Sequence, residues 1–223
     1  MAACDGTLGV IFDMDGVLVD TGWAHRQAWY DFAEKEGLAM SDEFFGRTFG
    51  MQNAAILPML RPGISNDQME RWSDWKEQRY RELVQKRLEL AEGADDLLDD
   101  LKRHGFRLAI GSSAPRENVD IFWNRLGLGN RFDARVTKEE TTESKPSPQT
   151  FLKAAEKLGL PPACCAVVED AVPGVQAARA AGMPVVAVTT TRSRDDLAQA
   201  DHVVDSLAEL KASDFVALLR RKT

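Results

Sequence analysis

Asp13 and Asp15 are two carboxylates one residue apart in the stretch "GVIFDMDGV", directly after an apolar run. Like charges at the end of a buried strand repel each other, and burial opposes their ionisation unless a cation compensates. Other polar groups also stand where apolar runs stop; they are Ser112, Ser113, Lys145, Glu169 and Asp170. If these runs are parallel strands of one sheet, their carboxyl ends form a pocket with several carboxylates, hydroxyls and one ammonium group.

The chemistry of these groups suits Mg²⁺ and a phosphoryl group. All the candidate metal ligands are oxygens without a histidine cluster beside them, and such a set is typical of Mg²⁺. Mg²⁺ beside an aspartate, a lysine and a hydroxyl is suited to phosphoryl transfer, in which the protein positions the group and neutralises its charge. One aspartate could attack phosphorus to form an acyl phosphate, while a carboxylic acid two residues on exchanges protons with the leaving group and water.

Short apolar runs without polar alternation are typical of strands that are buried on both faces of a sheet. Clear runs occupy 8–12, 106–111, 164–168 and 184–188, and weaker runs occupy 132–136 and 202–204. Helical patterns between them cover 94–105, 172–182 and 147–160, the last with a serine cap. This alternation predicts an α/β fold with a Rossmann-like three-layer core around a parallel sheet.

Residues 20–89 lack a convincing strand pattern. They have helix-like segments at 23–36, 53–60 and 67–89 and contain four of the five tryptophans. Because this stretch interrupts the alternation directly after the first strand, we predict that residues 20–89 are an inserted helical cap domain. The α/β core domain would then consist of residues 1–19 and 90–223.

The composition restricts the class of partner. A formal net charge of −7 and a pI near 5.1 disfavour a nucleic-acid binder, since phosphate backbones are bound by clustered Lys and Arg. The sequence has no apolar run of the roughly 18–20 residues that span a bilayer, and its N-terminus has no signal-peptide pattern. We therefore expect a cytoplasmic protein without a nucleic-acid or membrane partner. Separately, we expect a monomer whose ligand is a small phosphorylated metabolite.

The cysteines are three in number, and two of them are adjacent: Cys4, Cys164 and Cys165. Neighbouring cysteines are poorly placed to bridge each other, so we expect no disulfide framework. Because Cys164 and Cys165 lie inside an apolar run, we expect both to be small buried apolar residues rather than reactive thiols or metal ligands.

Four segments together resemble a known family. In sequence order they are "DMDGV", "LAIGSS", "SKP" and "VVEDAVPG". Each segment alone is also typical of an ordinary strand end or helix cap, but the set is similar to the four motifs of the haloacid dehalogenase-like superfamily. The resemblance covers essentially the whole chain. It is to the subgroup of phosphatases and β-phosphoglucomutases in which a helical cap lies between the first and second motifs.

The resemblance implies a role for each core residue. Asp13 would be the nucleophile and a metal ligand, and Asp15 the general acid and base, with its backbone carbonyl on the metal. Ser112 and the backbone N–H of Ser113 would hold the phosphoryl oxygens. Lys145 would neutralise both the nucleophile and the transferring group.

The resemblance also implies the metal and the reaction. Asp170 would bind Mg²⁺ directly, and Glu169 would do so directly or through a water. The implied function is a Mg²⁺-dependent phosphatase that acts on a sugar phosphate or a phosphoglycolate-like compound through an aspartyl phosphate. A sugar phosphomutase similar to β-phosphoglucomutase is the alternative. A dehalogenase is disfavoured, since related dehalogenases lack an acid at the position of Asp15.

Four residues of the predicted cap are candidates for substrate binding: His25, Arg47, Asn53 and Lys76. Related mutases use a cap arginine to hold the distal phosphate; Asn53 aligns with that arginine and Arg47 is displaced from it, which favours hydrolysis. His25 and Lys76 resemble residues of related sugar-phosphate enzymes, which favours a mutase. The alternatives are core packing or solvent contact for His25, and a solvated helix face shared with Tyr80 for Lys76.

Overall fold

The computed structural model describes residues 6–49 and 51–221. Strands and helices alternate over much of this range. The strands are β1 (Gly9–Phe12), β2 (Arg107–Gly111), β3 (Ala134–Val136), β4 (Cys165–Glu169), β5 (Val185–Val188) and β6 (His202–Val204). The α-helices are α1 (Gly22–Glu36), α2 (Asp42–Thr48), α3 (Asn53–Leu60), α4 (Asn66–Val84), α5 (Ala94–Arg103), α6 (Arg116–Arg125), α7 (Gln149–Leu158), α8 (Val172–Ala180) and α9 (Ala212–Arg221).

The strands form one parallel sheet in the order β3-β2-β1-β4-β5-β6. β1 is central, and its last residue, Phe12, lies opposite Ile110 of β2 and Val168 of β4. β2 and β3 lie on one side of β1, and β4, β5 and β6 lie on the other. The direction of the strand order therefore reverses at β1. In open α/β sheets, ligands bind in the crevice at the carboxyl ends of strands at such a reversal.

Both faces of the sheet are buried, which explains the continuous apolar runs in the sequence. Val10, Ile11 and Phe12 of β1 are all fully buried. Ile11 belongs to a hydrophobic core that also contains Phe151 of α7 and Val175 of α8. Val10 and Phe12 point to the opposite face, because successive side chains of a strand alternate. The parallel sheet with flanking helices confirms the predicted α/β fold class.

The helices depart from the sequence predictions in three respects. One is that α4 covers Asn66–Val84, whereas the predicted segment extends to residue 89. α2, α6 and α9 are absent from the predicted set. α2 is short and α6 is mainly polar, so both give a weak helical period, whereas α9 has an apolar pattern that the predictions leave unassigned. The helix predicted over 147–160 begins only at Gln149, since Pro148 stands at its N-cap position. The predicted serine cap is weak, with Ser147 Oγ accepting the N–H of Gln149 at 3.4 Å.

The two adjacent cysteines differ in chemical state. Cys165 is a free, buried thiol in β4, and burial raises its pKa to about 12, as expected for an unreactive apolar residue. Cys164 is also buried but is disulfide-bonded, so the expectation that it is a free apolar residue is wrong. Cys4 lies outside the described residues.

Contacts divide the chain into two compact units, an α/β unit of Met1–Asp20 with Glu89–Thr223 and a helical unit of Thr21–Leu88. The helical unit contains α1 to α4 and has its own aromatic core. In this core the rings of Phe32 and Trp72 meet edge to face, with centroids 5.2 Å apart. No helix in the described ranges has the length and apolar character needed to cross a bilayer.

Candidate active site

A tight loop after β1 carries Asp13 and Asp15. The N–H of Asp13 donates to the carbonyl oxygen of Val168 at 2.9 Å, which extends the pairing of β1 with β4 by one residue. The carbonyl oxygen of Met14 accepts the N–H of Leu18 at 2.9 Å and closes the loop. Met14 and Leu18 are fully buried, so their burial fixes the backbone from which the two aspartates project.

Lys145 joins two of the predicted acidic residues. Its Nζ donates to Asp13 Oδ1 at 2.5 Å and to Glu169 Oε1 at 2.5 Å, and it lies 4.7 Å from the ring centre of Phe151. Burial disfavours the ammonium charge, but the attraction of Asp13 and Glu169 outweighs burial and raises the pKa of Lys145. The ammonium is therefore a fixed positive charge between two carboxylates.

Glu169 is held by both of its carboxylate oxygens. Oε1 accepts from Lys145, and Oε2 accepts the N–H groups of Asp170 and Ala171 at 2.8 and 2.9 Å. A Cβ at Gly174 would lie 1.8 Å from Oε1, so only glycine at this position of α8 leaves room for the carboxylate. These contacts support a role for Glu169 in positioning Lys145.

The carboxylate of Asp170 lies between Thr191 and Gly16. The Thr191 hydroxyl lies 2.5 Å from Asp170 Oδ2, and a Cβ at Gly16 would lie 2.1 Å from the same oxygen. Gly16 also has a φ of +83°, so both the space and the backbone conformation require glycine. The side chain of Asp170 is thus held in one position at the carboxyl end of β4.

The acidic residues carry more charge than Lys145 compensates. Burial raises the pKa of Asp13 to about 7, and attraction to Lys145 opposes this only in part. Burial also raises the pKa of Asp170 well above its ordinary value, and repulsion by Glu169 and Asp13 adds to the effect. Raised carboxyl pKa values around a single ammonium indicate a pocket that attracts a further cation.

The donor set fits Mg²⁺. Within the described part of the chain, no three side chains of His, Cys, Asp or Glu converge closely enough to hold a metal by themselves. Mg²⁺ does not require such a cluster, since it is commonly held by one or two carboxylates and completes its shell with other oxygens. Asp13 and Asp170 supply two buried carboxylates whose raised pKa values a cation would lower.

Ser112 and Ser113 follow β2, the strand beside β1. The N–H of Ser112 donates to the Val136 carbonyl oxygen at 3.1 Å, and its Oγ accepts the N–H of Ala114 at 3.0 Å. Because the hydroxyl accepts from the backbone, its own proton is available for another acceptor. Ser113 is half-buried, directly before the turn that leads into α6.

A second cluster of polar side chains surrounds Lys76 inside the helical unit. Lys76 is 2 % exposed; its Nζ lies 2.9 Å from Nδ1 of His25 and donates to Glu77 Oε1 at 2.8 Å. The same Nζ lies 5.4 and 5.5 Å from the ring centres of Trp29 and Tyr80. A solvated helix face is therefore wrong for Lys76. Since an ammonium only donates, Nδ1 of His25 accepts and its ring proton is on Nε2.

Asn53 joins the same group through Glu77. Asn53 Nδ2 donates to Glu77 Oε1 at 2.8 Å, so one carboxylate oxygen accepts from both Asn53 and Lys76. Arg47 is exposed in α2, with its guanidinium carbon 5.6 Å from the ring centre of Phe44. Among the described residues, no hydrogen bond or ion pair joins Arg47 to the residues around Lys76.

Three residues of these sites are missing from the sequence predictions: Thr191, Glu77 and Gly174. Thr191 is one of three consecutive threonines, 21 residues from Asp170, and nothing in that spacing distinguishes it. Glu77 adjoins Lys76 in α4, and adjacent helical residues do not normally face each other. Gly174 does have a signal, because it ends the segment "VVEDAVPG".

The fold and the site define a class of protein, an α/β fold with an acidic loop directly after the central strand of a parallel sheet. Residues 10–188 match the family model described as haloacid dehalogenase-like hydrolase. The chain therefore belongs to the haloacid dehalogenase-like hydrolase family, which confirms the family predicted from the four motifs.

Three relatives illustrate this membership. Protein CbbY of Rhodobacter capsulatus is 34 % identical over 211 residues, which cover 89 % of this chain and 93 % of the relative. Fructose-1-phosphate phosphatase YqaB of Escherichia coli (strain K12) is 34 % identical over 182 residues, 81 % of this chain and 95 % of the relative. The crystal structure of β-phosphoglucomutase from Clostridium difficile superposes with a TM-score of 0.87 at 27 % identity, covering 96 % and 98 % of the two chains. The chain is a phosphoric monoester hydrolase of this superfamily, as predicted.

Proposed function

We propose that the protein is a Mg²⁺-dependent phosphatase that hydrolyses a small phosphorylated metabolite through an aspartyl phosphate on Asp13. The observation that carries the proposal is Lys145, whose Nζ lies 2.5 Å from both Asp13 Oδ1 and Glu169 Oε1. An ammonium fixed beside the attacking carboxylate offsets the repulsion between that carboxylate and an anionic phosphoryl group. Because Lys145 occupies Oδ1 of Asp13, Oδ2 is the oxygen that attacks.

In the first step, Asp13 Oδ2 forms a bond to phosphorus while the bond between phosphorus and the ester oxygen breaks. Asp15 donates a proton to the leaving oxygen, so the alcohol departs neutral. The hydroxyl of Ser112 and the N–H of Ser113 donate to the phosphoryl oxygens and hold the group in line. The available hydroxyl proton of Ser112 supports this role.

In the second step, Asp15 accepts a proton from a water molecule, which attacks phosphorus. The bond between phosphorus and Asp13 Oδ2 then breaks, and inorganic phosphate leaves. Asp13 is again a carboxylate and Asp15 is again protonated, so the cycle consumes one water for each ester. Throughout, Lys145 stabilises the negative charge on Asp13 and on the transferring group.

Asp13, Asp170 and the backbone carbonyl of Asp15 would hold Mg²⁺. Glu169 would act through a water, because its two oxygens already accept from Lys145 and from backbone N–H groups. When bound, the ion neutralises the carboxylates and the phosphoryl oxygens.

We propose a sugar phosphate as the substrate class and a phosphoglycolate-like compound as the smaller alternative. The name of the Escherichia coli relative, fructose-1-phosphate phosphatase, supports a sugar phosphate. His25, Arg47, Asn53 and Lys76 of the helical unit are the proposed substrate-binding residues. The Nε2–H of His25 and the ammonium of Lys76 are donors of the kind that sugar hydroxyls and phosphates accept from.

Substitution of the nucleophile tests this mechanism. Asp13→Asn should lower turnover of p-nitrophenyl phosphate by at least roughly 10³-fold, because an amide cannot form the acyl phosphate. Asp99→Asn is the matched control, since Asp99 lies on α5 with its side chain 64 % exposed, and it should retain full turnover. Circular dichroism establishes that both variants are folded. Mg²⁺-dependent turnover retained in Asp13→Asn would contradict the assignment of the nucleophile.

A second assay separates the phosphatase from a sugar phosphomutase. Sugar phosphates are incubated with the enzyme and Mg²⁺, and phosphate release is measured beside isomer interconversion. We expect one phosphate for each substrate consumed. Isomerisation without phosphate release would replace the phosphatase by the mutase. The cytoplasmic location and the monomeric state remain predictions.

A further inference from the structure

We propose that Thr191 is a positioning residue that orients Asp170 for binding a divalent cation. The inference rests on the proposed function in one respect, that Asp170 is a metal ligand. The Thr191 hydroxyl oxygen lies 2.5 Å from Asp170 Oδ2 and 3.0 Å from the Asp170 carbonyl oxygen. A hydroxyl has one proton, and the shorter distance assigns it to Oδ2. Thr191 thus fixes which carboxylate oxygen faces the protein.

Gly16 closes the other side of the same oxygen. A Cβ at Gly16 would lie 2.1 Å from Asp170 Oδ2 and 3.1 Å from Cγ2 of Thr191, so the Gly16 backbone lies close to the Asp170 carboxylate and to the methyl group of Thr191. None of the hydrogen bonds between described residues reaches Asp170 Oδ1. The carboxylate therefore has one oxygen engaged by Thr191 and the other available for a cation.

The backbone around Thr191 is itself anchored. The N–H of Thr189 donates to the Val204 carbonyl oxygen at 3.0 Å, and its hydroxyl donates to Asp205 Oδ1 at 2.8 Å. Beyond it, Arg192 Nη1 donates to the carbonyl oxygen of Thr191 at 3.0 Å. A hydroxyl on an anchored segment holds a ligand more firmly than a mobile side chain would. Residues that hydrogen-bond metal ligands commonly change metal affinity by about 10- to 100-fold when they are substituted.

Three substitutions separate this role from simple packing. Thr191→Val keeps the shape of the side chain and removes the hydroxyl, whereas Thr191→Ser keeps the hydroxyl and removes a methyl group. Thr189→Val is the matched control, because it removes a hydroxyl of the same segment that contacts Asp205 instead of Asp170. The readout is the dissociation constant for Mn²⁺ alone, measured without substrate by isothermal titration. Melting of the metal-free variants by circular dichroism reports folding.

We expect Thr191→Val to weaken Mn²⁺ binding about tenfold, with Thr191→Ser and Thr189→Val remaining close to the unsubstituted protein. If Thr191→Val fails to fold, Thr191→Ala is compared with Thr191→Ser in its place. Unchanged Mn²⁺ affinity in a folded variant without the hydroxyl overturns the proposal, as does an equal loss in Thr191→Ser.

Asp170→Asn distinguishes failure of the inference from failure of the proposed function. We expect this variant to bind Mn²⁺ more weakly than Thr191→Val does, because it changes the ligand itself. If Asp170→Asn weakens binding and Thr191→Val does not, only the role of Thr191 is wrong. If Asp170→Asn binds Mn²⁺ normally, the metal assignment is wrong and the proposal for Thr191 is overturned with it.

Discussion

Two glycines determine how closely the backbone approaches the acidic residues of the α/β unit. Gly16 lies against the carboxylate of Asp170, and Gly174 lies against that of Glu169. The two sites differ in kind, because Gly16 also has a positive φ whereas Gly174 lies within α8. Substitution at Gly174 therefore tests close approach alone, without the backbone strain that alanine would meet at Gly16.

Gly174→Ala should impair both folding stability and catalysis. The new Cβ would lie 1.8 Å from Glu169 Oε1, and Glu169 cannot move without losing Lys145 or two backbone N–H groups. We expect turnover of p-nitrophenyl phosphate to fall by at least about tenfold and the free energy of unfolding to fall by about 1–3 kcal/mol.

Gly46→Ala is the control for this substitution. Gly46 lies in α2, and a Cβ there would meet no atom within 4 Å. Alanine favours a helix over glycine, so the free energy of unfolding should rise by up to about 1 kcal/mol in urea denaturation. If Gly174→Ala changed turnover and the free energy of unfolding no more than Gly46→Ala does, the carboxylate of Glu169 would be free to move.

At the same scale, the sequence predicts which residues are neighbours when they lie at a strand end or in a recognisable motif. Asp13, Glu169 and Lys145 are predicted to be neighbours, and in the structure Lys145 contacts both carboxylates directly. Thr191 and Glu77 could not be predicted from the sequence. Thr191 contacts Asp170 from a loop, and Glu77 contacts Lys76 within α4, and neither residue has a diagnostic spacing from its partner. Residues that hydrogen-bond a site residue are therefore harder to find in a sequence than the site residue itself.

Among the elements, α5 caps the start of α9. Asp100 of α5 accepts the N–H of Ala212, the first residue of α9, with its Oδ2 at 2.8 Å. This backbone hydrogen bond lowers the pKa of Asp100 below its ordinary value, although burial opposes it. A helix N-terminus stabilises a carboxylate because its first N–H groups have no partner within the helix.

Asp100→Asn should therefore lower stability in a pH-dependent way. Since the pKa of Asp100 is lower in the folded than in the unfolded protein, its contribution is present at neutral pH and is lost as the pH falls through the lowered pKa. Urea unfolding should show a less stable variant at pH 7 and a smaller difference at pH 3. Asp99→Asn, on the exposed face of the same helix, should show little change at either pH. A difference that grows towards low pH would contradict this account.

In α4, a buried ion pair and a partly exposed one allow a direct comparison. Lys76 and Glu77 have side chains 2 % and 12 % exposed, whereas those of Arg79 and Glu82 are 31 % and 51 % exposed. Glu77→Gln should lower the free energy of unfolding by about 3 kcal/mol, because it leaves the ammonium of Lys76 buried without a carboxylate. Glu82→Gln should lower it by less than about 1 kcal/mol.

Urea denaturation of both variants measures this difference. The double variant Lys76→Met with Glu77→Gln should regain part of the loss, since it removes the uncompensated charge. A double variant less stable than Glu77→Gln alone would mean that Lys76 contributes mainly through its contacts with Trp29 and Tyr80.

Strands and helices with many buried apolar residues were easier to predict from the sequence than elements with few. All six strands coincide with predicted apolar runs, including the weaker runs that became β3 and β6. α6 is harder to recognise, because only two of its ten residues, Val119 and Phe122, are buried and apolar, and most of the others are polar. In α9 the apolar pattern is present, and Phe215 packs edge to face against Phe106.

On the scale of the whole molecule, the two units are stabilised by contacts of different range. The helical unit is one continuous segment whose core forms within Thr21–Leu88. The α/β unit is built from two segments, and β1 of the first pairs with β2 and β4 of the second. Local contacts form quickly, whereas pairing between distant segments requires the closure of a long loop.

The central position of β1 has a consequence for synthesis of the chain. Of the six described strands, β1 leaves the ribosome before the others, yet its second neighbour is complete only when Glu169 has been made. During that interval the helical unit can already fold, while Val10, Ile11 and Phe12 lack the β4 strand and the later helices that complete their burial. We therefore expect nascent chains that end before β4 to bind chaperones through this segment and to release them once β4 has emerged.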